Sequence, residues 1–130
     1  LLIDCNPSMG ILLTNALVAD RVLIPVQTEE FSVDGLEDMM ELIQMVKANI
    51  NPHLGIVGLL PTLMTNTKDS RTVAAWLKQE FTGLVFDTGI GRYADAPRSV
   101  KAKKPIVGGK GKLAEQYMAA TTELLRRLEV

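Results

Sequence analysis

A chain of 130 residues with 47% hydrophobic content is the size of one domain and can fill a real core. Its formal net charge of −1 excludes a global electrostatic pull toward nucleic acid or membrane. The single cysteine, Cys5, excludes an internal disulfide, and the single histidine, His53, excludes a multi-histidine metal centre.

Cysteine usage fits a reducing cytoplasm. No apolar run approaches the roughly 20 residues needed to span a membrane, and no signal-peptide pattern is visible. The charges are unevenly placed. Glu29, Glu30, Asp34, Glu37, Asp38 and Glu41 form an acidic run with no base. Arg92, Arg98, Lys101, Lys103, Lys104, Lys110 and Lys112 form a basic run interrupted only by Asp95. Such asymmetry points to one side that could face a polyanion.

Leu1-Leu2-Ile3-Asp4 reads as a buried strand ending in a carboxylate, with a loop, Cys5 to Gly10, leaving its C-terminal edge. Ligands of open α/β sheets bind beyond the C-terminal ends of strands. A carboxylate there can hold Mg²⁺ directly or through water; the plainer reading is an aspartate capping the next turn. Cys5 reads as a small buried residue, since no catalytic partner accompanies it. Because Leu1 falls inside a strand pattern and no initiator Met precedes it, the chain is expected to be the C-terminal portion of something longer.

Ile11 to Ala19 reads as a short helix and Val22 to Val26 as a strand, with Pro25 at its end or at a sheet edge. Ser32 is an N-cap candidate for a helix whose early acids suit the dipole. Leu36, Met39, Met40, Ile43 and Val46 or Met45 keep helical spacing, with the methionines as core filler and the acids as the wet face. Pro52 ends that helix near Asn49 to Asn51. Gly55 to Leu60 is a strand apolar on both faces, as parallel sheets require.

Pro61 to Asp69 is a loop. Asp69 or Ser70 caps a helix burying Val73, Leu77 and Phe81, with Trp76 off that stripe and either partly exposed or packed on a partner. Leu84 to Phe86 is a further strand. The basic stretch to Lys112 is a loop, and Leu113 to Leu128 a closing helix with Leu113, Tyr117, Leu124 and Leu128 toward the core. Strands alternate with helices and no hairpin signals appear. The fold class is α/β: an open, mostly parallel sheet with flanking helices and right-handed crossovers.

Taken in order, Asp4-Cys5-Asn6-Pro7-Ser8-Met9-Gly10, Thr14-Asn15-Ala16 and Ile24-Pro25-Val26-Gln27 resemble the ParA/Soj family of partition ATPases and their MinD relatives. So do Gly55 to Thr62, Arg71-Thr72, Ile90-Gly91-Arg92 and Lys104-Pro105-Ile106. The resemblance covers essentially the whole chain. It departs at Asn6 and at Gly91, where the family carries Pro, and at Asp95, where relatives often carry a DNA-binding Arg.

The resemblance implies a partial P-loop NTPase (ParA/MinD-like) fold, with residues 1–130 as the C-terminal portion of one ATPase domain. It implies that Asp4 is the Walker B carboxylate acting on Mg²⁺ through water, and that Pro7 lies in the switch II loop. Pro61, Thr62, Gly91 and Arg92 are expected near the adenine, largely through backbone. Arg71, with Lys101, Lys103, Lys104, Lys110 and Lys112, is expected on a non-specific DNA-binding surface. The family's cofactors are ATP and Mg²⁺, and its partners are a second copy of the chain, DNA and a ParB-like stimulating protein, in a cytoplasmic setting on nucleoid or plasmid.

No glycine-lysine phosphate loop followed by Ser or Thr occurs. Gly108-Gly109-Lys110-Gly111-Lys112 follows no strong strand and leads into Leu113, so it reads as the loop before the last helix. The chain as given is therefore expected neither to bind nor to hydrolyse ATP, with no catalytic set complete in it. Two other readings remain: a catalytically dead interaction module of the same fold or a MinD-like positioning ATPase, and an unrelated flavodoxin-like binding domain.

Overall fold

The computed structural model describes residues 1–5, 10 and 15–129. The chain forms two compact units, one of Leu1–Val22 with Ser32–Ile56 and the other of Leu23–Phe31 with Val57–Val130.

In the first unit, Leu1, Leu2 and Ile3 lie outside any strand and are exposed. The expected opening strand is therefore corrected: its backbone enters no ladder with the described residues, so its apolar side chains have no sheet face to lean on. Cys5 is exposed as well, not buried; its thiol donates to the Ile3 carbonyl at 3.7 Å. Of the helix expected over Ile11 to Ala19, residues 11–14 lie outside the described residues; Asn15 and Ala16 are helical, and a turn follows at Leu17 and Val18.

The main helix of this unit, α1 (Val33–Asn49), starts where Ser32 predicts. The Ser32 hydroxyl accepts the Gly35 N–H at 3.1 Å, satisfying one of the orphan donors of the first turn. Leu36, Ile43 and Val46 form its buried stripe, while Asp34, Glu37, Asp38 and Glu41 face water. Met39 and Met40 are half-buried and Met45 is exposed, so the methionines fill the core only in part. Beyond the helix, the Asn51 side-chain amide donates to the carbonyls of Leu17 and Ala19, tying two segments of the unit.

Two strands, β1 (Arg21–Gln27) and β2 (Gly55–Thr62), pair in parallel. Gly55 N–H donates to the Asp20 carbonyl at one end and Thr28 N–H to the Thr62 carbonyl at the other. Pro25 is exposed on β1, which has no second neighbour among the described strands, as a residue without an N–H requires.

In the second unit, the expected strand over Leu84 to Phe86 shrinks to a parallel bridge of Leu59 with Val85, followed by another of Met64 with Gly91. The contact is close: a Cβ on Gly58 would lie 2.5 Å from the Phe86 ring, so only glycine admits this approach. Helix α2 (Lys68–Glu80) is capped by Thr67, whose hydroxyl accepts the Ser70 N–H at 3.2 Å. This corrects the expected Asp69 or Ser70 cap. Trp76 packs on Phe31 and Phe81, with ring centroids 5.4 and 6.1 Å away.

The stretch expected as a loop contains a helix, α3 (Asp95–Ala102). Pro97 lies in its first turn, where the missing N–H costs no helical hydrogen bond. The last helix, α4 (Lys112–Arg127), buries Leu113, Ala114, Ala120 and Glu123. Tyr117, expected inside, is 41% exposed. The buried stripe runs past it through residues 113, 116, 120, 123 and 127, and thereby draws polar side chains inward.

Candidate functional site

The C-terminal ends of the paired segments in the second unit meet at one edge, the place where parallel sheets hold ligands. The carbonyl of Pro61, next to last in β2, accepts the Ile90 N–H at 2.8 Å. Met64 N–H donates to the Ile90 carbonyl at 3.0 Å, and Arg92 N–H to the Met64 carbonyl at 2.9 Å. Thr62 is held from the other side by Thr28. The structure thus brings Pro61, Thr62, Gly91 and Arg92 together through backbone, although about 30 positions separate the two pairs.

Side chains that sequence reasoning missed complete this edge. Glu29, just past β1, pairs with the Arg92 guanidinium at 3.2 Å. Gln116 of α4 accepts the Gly91 N–H at 2.8 Å through Oε1 and lies 3.4 Å from the Tyr93 hydroxyl through Nε2. A proline at position 91 would have no N–H to offer, so Gly91 and Gln116 form a matched pair. Thr28 and Ser70 are buried with hydroxyl oxygens 2.7 Å apart. The only signal for any of these is position: polar residues within three places of a predicted strand or helix end.

Behind the edge, α4 is fastened by charge. Glu123 Oε1 and Oε2 accept the N–H groups of Asp87 and Thr88 at 3.0 and 3.2 Å. Arg127 binds Glu123 at 2.9 Å, donates to the carbonyls of Val57, Gly83, Leu84 and Val85, and stacks over the Phe86 ring at 4.5 Å. Burial pushes the Glu123 carboxyl pKa up. The two backbone donors and Arg127 outweigh it and hold the group below its ordinary 4.5.

Asp4 belongs to the first unit and is exposed, and Pro7 lies outside the described residues. Among the described residues, no group of three or more His, Cys, Asp or Glu could hold a metal ion. The basic candidates are all on the surface. Arg71 is in the first turns of α2, Lys101 in the last turn of α3, Lys103 and Lys104 just after it, and Lys110 and Lys112 at the start of α4. Lys103 takes a left-handed conformation, φ 51°, that ends α3. Asp95 pairs with Arg98 at 3.8 Å within the basic stretch. A pocket of about 260 Å³ lies between α2 and the edge, lined by Pro61, Met64, Phe86 and Lys78 among others, and is below the size usual for ligand clefts. No helix among the described residues is long and apolar enough to cross a membrane.

A family model described as an AAA domain matches residues 1–56. The chain is 34% identical to the chromosome partitioning protein ParA of Myxococcus xanthus, over 98% of this chain and 46% of that protein. It is 33% identical to the sporulation initiation inhibitor protein Soj of Bacillus subtilis, over 95% of this chain and 51% of that protein. The chain is thus similar to ParA/Soj-type proteins along nearly its whole length. Among solved structures it matches cobyrinic acid a,c-diamide synthase from Mycobacterium smegmatis, crystallised with an ATP analogue and magnesium, at TM-score 0.76 and 31% identity. That match covers 97% of this chain and 47% of the synthase. The chain thus has the α/β, P-loop NTPase-like fold expected from its sequence, and spans about half the length of the relatives it matches.

Proposed function

We propose that this chain is the C-terminal portion of a partition ATPase of the ParA/Soj type, acting in the segregation of a chromosome or plasmid. The observation that carries the reading is the meeting of Pro61, Thr62, Gly91 and Arg92 at the C-terminal sheet edge. Relatives named for chromosome partitioning, matched over nearly the whole chain, support the role.

The residues present fit a Mg²⁺-nucleotide in part. Pro61, Thr62, Gly91 and Arg92 would wall its base. Asp4 would act on Mg²⁺ through water, which suits an ion that keeps much of its hydration shell. The phosphate side needs a glycine-lysine loop, and the sequence contains none. When bound, a nucleotide would supply the link between two copies of the protein; the residues of this chain would supply the base wall, the ordered edge and a basic surface. Arg71 with Lys101, Lys103, Lys104, Lys110 and Lys112 would make phosphate contacts without reading sequence. A ParB-like protein would be the stimulating partner.

The test is DNA binding by the whole protein that carries this chain, with Mg²⁺-ATP, measured across a salt series. Affinity for unrelated duplexes should be similar and fall steeply with salt. Arg71→Ala should weaken binding to all of them and reduce the salt slope by about 1 for each contact removed. An unchanged affinity and slope would remove Arg71 from the DNA surface.

A further inference from the structure

Thr28 and Ser70 are 1% and 0% exposed, the only polar residues so deeply buried beside Glu123 among the described residues. A buried hydroxyl is costly unless paired, and these two are paired with each other at 2.7 Å. Ser70 Oγ also accepts the Thr65 N–H at 3.1 Å. The Thr67 hydroxyl, which caps the Ser70 N–H, lies 2.9 Å from that of Thr65. One side chain, Ser70, therefore joins the end of β1, the loop after β2 and the first turn of α2. Capping does not account for it, because Thr67 already caps the helix. Arg71 is the next residue, and it is exposed.

We propose that the Thr28–Ser70 hydroxyl pair is a positioning relay that fixes the first turn of α2 to the sheet edge and so sets how Arg71 is presented to DNA phosphates. The proposal rests on the reading of Arg71 as a DNA contact. The loop that Ser70 grips, Thr62 to Thr65, is continuous with the edge that holds Pro61 and Gly91. Ser70 is a direct route by which a rearrangement of that loop reaches α2, since Thr65 and Thr28 are the partners of its hydroxyl.

A double-mutant cycle in the whole protein with Mg²⁺-ATP tests this. Thr28→Val removes one hydroxyl at nearly constant shape, Thr28→Ser keeps it, and DNA affinity is measured well below each variant's unfolding temperature. Thr28→Val should weaken DNA binding about fivefold or more, and Thr28→Ser should keep parental affinity. The loss caused by Arg71→Ala should shrink in the Thr28→Val background, because the two changes remove the same contact. If Thr28→Val does not fold, Ser70→Ala breaks the pair from the other side and is read in the same cycle. Parental affinity in Thr28→Val, or losses that simply add, overturns the relay while an Arg71→Ala effect leaves the DNA reading standing. A parent that Arg71→Ala does not weaken overturns both.

Discussion

Helices α1 and α4 have 17 and 16 residues and are both amphipathic, yet they secure their units by different chemistry. The stripe of α1 is Leu36, Ile43 and Val46, apolar throughout, and its acids stay in water. The stripe of α4 starts with Leu113 and Ala120 and ends in an ion pair, with Glu123 6% exposed. An apolar stripe needs only area, and any packing surface of the right shape satisfies it. A buried carboxylate and guanidinium need partners in fixed positions, and they have them. Glu123 is met by two backbone donors and Arg127 by four carbonyls. Helix α4 is thereby locked in one register against the segment Gly83 to Thr88, which leads directly into Gly91 and Arg92 at the candidate site.

Breaking that lock should give the largest effect. Glu123→Ala leaves the Asp87 and Thr88 N–H groups without their acceptor and Arg127 without its counter-charge. Removing one member of a buried pair costs about 4 kcal/mol, read as a drop in the denaturant midpoint. A loss below about 1 kcal/mol would place the pair with ordinary surface salt bridges and end the contrast with α1.

A smaller effect should appear on acidification. The folded-state pKa of Glu123 is lowered, so its contribution to stability is fully present above the ordinary value of 4.5. It is lost as pH falls from there through the folded-state value, because the proton then binds the unfolded chain more tightly than the folded one. Stability of the parent should decline below about pH 4.5, and Glu123→Gln should flatten that decline. An identical acid profile in parent and variant would show that the carboxylate titrates alike in both states.

The same contrast explains what the sequence reveals. Helix α1 is legible because Ser32, the 3.6-residue apolar period and Pro52 are all local signals, and β1 and β2 are bounded equally well by their apolar runs. Around Ser70 local signals are ambiguous: Thr67, Asp69 and Ser70 are all good caps. What separates them is Thr28, 42 residues away, which draws Ser70 inside. Helix α3 escapes notice because Pro97 reads as a breaker, although a first-turn position tolerates it. At the candidate site, Pro61, Thr62, Gly91 and Arg92 are visible through resemblance. Glu29 and Gln116 are not, because their partners are contributed by other elements of the chain.

Tyr117 marks where the period of α4 misleads most. Leu113, Tyr117, Leu124 and Leu128 suggest one apolar face, and on that reading Tyr117→Ala would cost about 3 kcal/mol or more as a large core truncation. In the structure the ring is 41% exposed, and the positions facing inward are Gln116, Ala120 and Glu123. The substitution removes only the covered part of the ring, and alanine's better helix propensity offsets some of that loss. The net change should stay near about 0.5 kcal/mol, the smallest of the three effects. Thermal unfolding of the variant checks it: a core-sized drop would put the tyrosine inside and restore the purely apolar stripe that α1 displays.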